Sequence, residues 1–380
     1  MTEILDQETY EKYEEAAKII NKAGRTSYPI NDTLIMILRH VIPDEKDLKL
    51  IKLFENKNSQ TLEQLQEISN LSEEEIIKNA ENLAKKGVIF DQPSRTGLKV
   101  YRLMPFINVG IFEYTFMGKL EDTKENRELA KLYVKLGSNL RSRIMQNYEA
   151  LLIRQKKRPP VDRTIPFTIN KDTGTEIEII VDKSIEVPEE KILPVQKVEE
   201  LIKKFDDIAV GHCFCRHQHD LLGDPCKQTY IRENCFTFGK SARYTSDHGF
   251  SRKISKEEAL DIIRRSNEDG LVNKAYHPNF DITKDETSLC MCCNCCCGQT
   301  RGFNVNQTNH IAIIDQELCN GCGICVEKCH TGTMQLNDDN IAYNGDLCIG
   351  CGVCAYFCPE QAISLKEKER IVRFTPPRVQ

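Results

Sequence analysis

The stretch Leu318-Cys-Asn-Gly-Cys-Gly-Ile-Cys-Val-Glu-Lys-Cys329 recurs as Leu347-Cys-Ile-Gly-Cys-Gly-Val-Cys-Ala-Tyr-Phe-Cys358, and the second copy continues with Pro359. Each copy spaces four thiols as C-x2-C-x2-C-x3-C, the signature of an internal repeat. The flanks repeat as well. Ile311-Ala-Ile-Ile before the first copy corresponds to Ile341-Ala-Tyr before the second, and Met334 and Leu336 correspond to Ile363 and Leu365. Gly321, Gly323, Gly350 and Gly352 let the backbone fold close around whatever the thiols hold and aim N–H groups at sulfur.

Beyond the repeat, cysteine use is heavy and confined. The 380-residue chain carries 18 cysteines, none of them before Cys213 and none after Cys358. Met1–Glu15 has neither a basic n-region nor an apolar h-region, so it does not read as a secretory leader. In a reducing compartment disulfides do not persist, so this load points to metal binding. The longest uncharged stretch of the first half, Leu103–Phe112, is far shorter than the roughly 20 apolar residues of a membrane-spanning helix. A soluble, cytoplasmic protein is expected. With 52 basic and 57 acidic residues the net charge is −5, which argues against a chain built mainly to hold nucleic acid. No glycine-rich phosphate loop is present, so no nucleotide site is expected.

The repeat resembles the bacterial-type ferredoxin that holds two [4Fe–4S] clusters, over about residues 306–367. In that family the first three cysteines of each run bind one cluster and the fourth binds the other. The resemblance implies Cys319, Cys322, Cys325 and Cys358 for one cluster, and Cys348, Cys351, Cys354 and Cys329 for the second. Paired C-x2-C runs also suit zinc. Eight cysteines in this doubled order, with their glycines, favour iron–sulfur. One departure stands out. His330 takes the place of the proline expected after the first run, and it reads as an exposed loop residue or as a donor that tunes the adjacent cluster.

Ten cysteines remain. His212-Cys-Phe-Cys-Arg-His-Gln-His219 is followed by Cys226 and Cys235, and Cys290-Met-Cys-Cys-Asn-Cys-Cys-Cys297 packs six cysteines into eight residues. No hydrophobic core requires such a run, and bare thiols at this density would oxidise. Metal ligation is expected, with the metal left open. The choices are one or two further clusters, or zinc with His212, His217 or His219 alongside cysteines. Cys213, Cys215, Cys226 and Cys235 form one candidate set for a cluster or zinc. Cys290, Cys292, Cys293, Cys295, Cys296 and Cys297 form another for a cluster. Arg216 is expected either to set positive charge near a cluster or an anion, or to make a structural salt bridge.

The N-terminal part reads as amphipathic helices. Asp32 and Asp44 are candidate caps, Leu62–Ile68 a short helix, and Ser72 with Glu75 a capping box opening a helix that Gly87 stops. The turn Gln92-Pro-Ser-Arg-Thr-Gly97 between Val88–Phe90 and Leu98–Leu103 reads as a β-hairpin. Helix, turn, helix and hairpin together resemble a winged-helix domain. DNA binding would place the second helix's first turn against phosphates. That turn holds Glu73, Glu74 and Glu75, so a docking module is the better fit. Residues 121–158 read as helical, and the basic run Arg154–Arg158 as their solvated C-terminal end. Strand, turn and strand are expected over Phe167–Val181, and a second capping box at Ser255 and Glu258.

The expected architecture is α+β and multidomain. It comprises a winged-helix-like domain over 1–120, a helical linker over 121–160, a mixed α/β cysteine-rich domain over 161–305, a two-cluster ferredoxin domain over 306–367 and a tail over 368–380. The layout is similar to iron–sulfur proteins of anaerobic microbes. The expected function is low-potential electron transfer between the two ferredoxin clusters and further centres in the middle domain. The chain would serve as a subunit or partner of an anaerobic oxidoreductase, with redox partner proteins in a hetero-oligomer. Two alternatives differ in class. One is an oxidoreductase with its own catalytic cluster in the cysteine-rich domain, and the other is a redox-sensing transcription regulator.

Overall fold

A computed structural model describes residues 6–24, 28–94, 96–107, 109–150, 153, 162–181, 198–277, 285–298, 304–345 and 347–375. Arg95 of the expected hairpin turn and the basic run Arg154–Arg158 lie outside the described residues. The chain mixes helices with several sheets and divides into two compact units. One unit holds residues 1–144, 211–225 and 243–252, and the other holds 145–210, 226–242 and 253–380. Residues 306–367 belong to the second unit together with much of the cysteine-rich region.

In the first unit, helices run over Gln7–Ala23, Asp32–Val41, Glu45–Lys52, Leu62–Glu67 and Glu73–Lys85. Asn31, rather than Asp32, caps the second of these, because its side chain accepts the Leu34 N–H and leaves Asp32 as the first helical residue. The Ser72–Glu75 box forms in both directions: Ser72 Oγ accepts from the Glu75 N–H and the Glu75 carboxylate from the Ser72 N–H. Strands Ile89–Phe90 and Val100–Leu103 pair antiparallel, and the three-residue strand Ser59–Thr61 joins the far side of the latter. Ile76, Ala80 and Leu83 of the helix Glu73–Lys85 are buried, as are Leu34, Ile35 and Leu38 of the helix Asp32–Val41. Removing such apolar area from water is the main force holding the unit together.

The second unit is built on antiparallel strands. Strands Asp162–Ile165, Val272–Tyr276, Ser288–Cys292 and Glu233–Phe238 pair in that order. The helix Lys256–Glu268, whose Ser255 cap accepts the Glu258 N–H, ends at Gly270 with φ +72° and feeds the strand Val272–Tyr276. A separate sheet pairs Asn304–Ile314 with Ile363–Thr375, and Ile179–Ile180 lies parallel to the latter. The strand therefore runs on through the expected tail as far as Thr375. Between its two long strands lie both cysteine runs.

Candidate metal centre

Each run of the repeat folds as a loop closed by one short helix. Gly321, Gly323, Gly350 and Gly352 have φ of +69°, +75°, +61° and +73°, conformations that side chains with a Cβ resist. Gly323 and Gly352 open the helices Ile324–Glu327 and Val353–Tyr356. The flanking strands exchange hydrogen bonds with the opposite run. The Ala312 N–H donates to Cys348 Sγ at 3.4 Å and the Ala342 N–H to Cys319 Sγ at 3.5 Å, so each run's first sulfur is held by the strand before the other. The Gly350 N–H adds a second donor to Cys348, at 3.4 Å.

The loops bring Cys319, Cys322 and Cys325 together with Cys358 of the second run around one pocket that opens to solvent. Ile314, Leu336, Ala342, Ala362 and Ile363 form its apolar wall. Burial pushes the Cys325 thiol up to about 11, with Cys322, Cys319 and Cys358 adding to the shift. Burial likewise raises Cys358. In the second expected set, burial lifts Cys351 to about 12 and raises Cys354 well above the ordinary thiol value, and Cys348 and Cys329 act on both. Thiols so crowded keep their protons until a cation replaces them, as metal binding requires. Soft donors from several directions, an apolar wall and N–H groups aimed at sulfur fit an iron–sulfur core.

A polar brace missing from the sequence reading supports the second run. Asn170 is buried, and its Nδ2 donates to the carbonyls of Cys358 at 2.8 Å and Ala355 at 3.2 Å. Its Oδ1 accepts from the N–H groups of Asp172 and Thr173 and fixes the turn that follows. The Phe167 N–H donates to the Cys351 carbonyl at 3.0 Å, and the Lys171 N–H to the Tyr356 carbonyl at 2.8 Å. The Phe167–Val181 segment is therefore a clasp over the repeat. Its signal in sequence was only the Asn-Lys-Asp-Thr-Gly turn.

The ten middle cysteines group differently from expectation. Cys213 caps the helix Phe214–Leu221, which carries Cys215, and both belong to the first unit, whereas Cys226 and Cys235 belong to the second. Cys235 faces Cys290 across the antiparallel pair of strands. Cys226 instead joins Cys293, Cys295 and Cys296, and all four sulfurs lie within 4.8 Å of one another. The reason is topological: the strand Ser288–Cys292 ends in bends over 294–296 that turn the cysteine run back toward the loop carrying Cys226. Hydrogen bonding with Cys293 raises the Cys295 thiol, and hydrogen bonding with Cys226 and Cys293 raises that of Cys296.

No histidine enters this group. His217 Nε2 accepts the Leu120 N–H at 3.1 Å, and His219 Nδ1 stands 3.4 Å from the Asp224 carboxylate. Arg216 is fully buried. His330, expected as an exposed loop residue, is also buried, because its Nε2–H donates to the Gly270 carbonyl at 2.7 Å. Burial lowers its pKa, against the opposing pull of that carbonyl, Cys293 and Cys297.

Comparison with known proteins bears on the repeat. Residues 318–363 match the 4Fe–4S dicluster domain. The C-terminal repeat is iron–sulfur and ferredoxin-like. A probable ferredoxin of Methanosarcina thermophila is 47% identical over 32 residues, which are 8% of this chain and 55% of that protein. The chain thus spans about half the length of the curated relative it matches. No solved structure matches the chain. Among the described residues, no helix is long and apolar enough to cross a membrane.

Proposed function

We propose that the chain is an electron carrier whose C-terminal repeat holds two [4Fe–4S] clusters. One would sit on Cys319, Cys322, Cys325 and Cys358, and the other on Cys348, Cys351, Cys354 and Cys329. The observation that carries this reading is the cavity at which Cys358 crosses over to join the first run. Bound there, the clusters supply one-electron exchange at low potential. The chain's own residues do the rest. Ile314, Leu336 and Ile363 give the site an apolar wall, the Ala312 and Ala342 N–H groups stabilise thiolate charge, and Asn170 holds the second run in register.

The N-terminal helices and three-stranded sheet suit a winged-helix-like docking module for a redox partner. The three glutamates of the Glu73–Lys85 helix N-terminus favour protein over nucleic acid. An oxidoreductase complex of anaerobic metabolism in the cytoplasm is the setting this implies.

The test is anaerobic purification of the full chain, followed by iron and sulfide counting and EPR after dithionite. The expected result is at least about eight irons per chain and the signals of two reduced, interacting cubanes. Cys358→Ser should lower the count toward about four irons, the content of one cube. Wild-type protein with fewer than about eight irons would overturn the reading.

A further inference from the structure

The group outside the repeat has a different size. The Cys226–Cys295, Cys293–Cys296 and Cys295–Cys296 sulfur pairs are separated by 3.3, 3.2 and 3.7 Å. A single tetrahedral ion with metal–sulfur bonds of about 2.3 Å sets its four sulfurs about 3.8 Å apart. A four-iron cube binds each thiolate at a separate outer corner and needs a wider cradle. The repeat provides such a cradle, for its cysteines ring a cavity. Among the described residues, no other set of three or more cysteine, histidine or carboxylate side chains closes as tightly as the middle quartet.

The surroundings are also those of a built site. Cys293 is fully buried, and Cys226 and Cys296 are 7% and 6% exposed. The Cys296 N–H points at Cys293 Sγ at 3.5 Å, so Cys293-Asn-Cys-Cys296 turns as a knuckle around its first sulfur. Gln228, two residues after Cys226, ties the two contributing segments together. Its Oε1 accepts the Asn294 N–H at 2.9 Å, while its Nε2 donates to the Asp269 and Gly270 carbonyls at 2.9 and 3.1 Å. Amide groups that orient ligands from outside the first shell are a regular part of metal sites.

We propose that Cys226, Cys293, Cys295 and Cys296 hold one tetrahedral zinc ion, a structural site distinct from the iron–sulfur clusters. Four thiolates with no open position match a closed structural site rather than a catalytic one. The ion staples the 226–229 loop to the end of the strand Ser288–Cys292. The proposal does not depend on the electron-transfer reading, because it concerns other cysteines and another metal.

The experiment is zinc and iron analysis of the anaerobically purified full chain grown with both metals, together with zinc K-edge X-ray absorption. The expected result is about one zinc per chain with four sulfur neighbours at about 2.3 Å and no iron neighbour. Cys293→Ser should drop zinc below about one-tenth per chain, while Cys235→Ser, outside the quartet, keeps it. If Cys293→Ser does not fold, the absorption spectrum of the wild type alone decides. Zinc absent, nitrogen or oxygen neighbours in place of sulfur, or zinc retained in Cys293→Ser would each overturn the proposal. Low iron with zinc intact would instead count against the electron-carrier reading alone.

Discussion

Gly321 and Gly323 sit two residues apart in the first cysteine loop, with nearly equal φ of +69° and +75°, yet their surroundings differ. A Cβ at Gly321 would run into the carbonyl oxygen of Asn340 and lie 3.1 Å from that residue's own Cβ. A Cβ at Gly323 would meet only Leu336 Cδ1, at 3.8 Å. Alanine at either position takes on the left-handed cost of roughly 1–2 kcal/mol. Its gain from a stiffer unfolded chain is common to both and cancels in the comparison. At Gly321 the added methyl also forces Asn340 to move, at roughly 1–3 kcal/mol for overpacking. That movement matters for the site, because two residues later Ala342 donates its N–H to Cys319 Sγ. Gly321→Ala should therefore be less stable than Gly323→Ala by about 1–3 kcal/mol. With a guanidinium slope of about 4 kcal/mol/M, its midpoint falls roughly 0.3–0.8 M lower. The assay is anaerobic unfolding of the iron-loaded protein followed by visible absorbance, with iron content read beforehand. Equal midpoints for the two variants would refute the claim that the Asn340 carbonyl closes this loop.

Asn170→Ala strands the carbonyls of Ala355 and Cys358 and should cost about 1–3 kcal/mol per orphaned group. Asn170→Asp sets a buried carboxylate oxygen against both carbonyls as well as losing the donated bonds, so iron retention should rank wild type, then Ala, then Asp. In the first unit, the His248 imidazole and Lys99 ammonium hold the Asp91 carboxyl below the ordinary carboxylate value, although burial pulls the other way. Its folded value lies under the unfolded one, so its stabilisation is full above about pH 5 and is lost as pH falls from about 3.9 toward the folded value. Thermal unfolding from pH 3 to 6 should show a shallower acid limb in Asp91→Asn than in wild type. Tyr244→Phe removes a buried hydroxyl that donates to the Ile89 and Ala84 carbonyls at 2.9 and 3.1 Å. A loss of about 1–3 kcal/mol is expected by calorimetry.

The repeat was legible because its ligand pattern is local. Four thiols within eleven residues and two positive-φ glycines determine a loop whatever surrounds it. The capping box at Ser72 and the stop at Gly87 were readable for the same reason. The grouping of the middle cysteines was not, since it depends on which strands pair. Spacing alone cannot show that Cys235 would face Cys290 in the sheet while Cys226 turned to Cys293. The strand Ser59–Thr61 has three residues, too few for alternation to show. The expected tail from residue 368 carries no strand alternation of its own, and its pairing with Asn304–Ile314, which straddles the expected domain boundary, makes it a strand as far as Thr375. His330 looked exposed for a similar reason. The carbonyl that buries it lies 60 residues earlier.

That carbonyl also says something about how the two kinds of thiol site coexist. Gly270 accepts from Gln228, two residues beyond Cys226, and from His330, one residue beyond Cys329. One peptide oxygen thus anchors the compact quartet and the first run of the repeat. The bond to His330 fixes a proton on Nε2 and leaves Nδ1 bare, while burial holds the ring neutral near pH 7. The groups that meet at this oxygen are a side-chain amide and an uncharged imidazole. A cation there would stabilise the extra electron on a cluster and raise its potential, whereas neutral dipoles position the cluster with less effect on its charge balance. For the electron carrier proposed above, the second arrangement would keep the potential low, and a metal-bound quartet would hold the platform still.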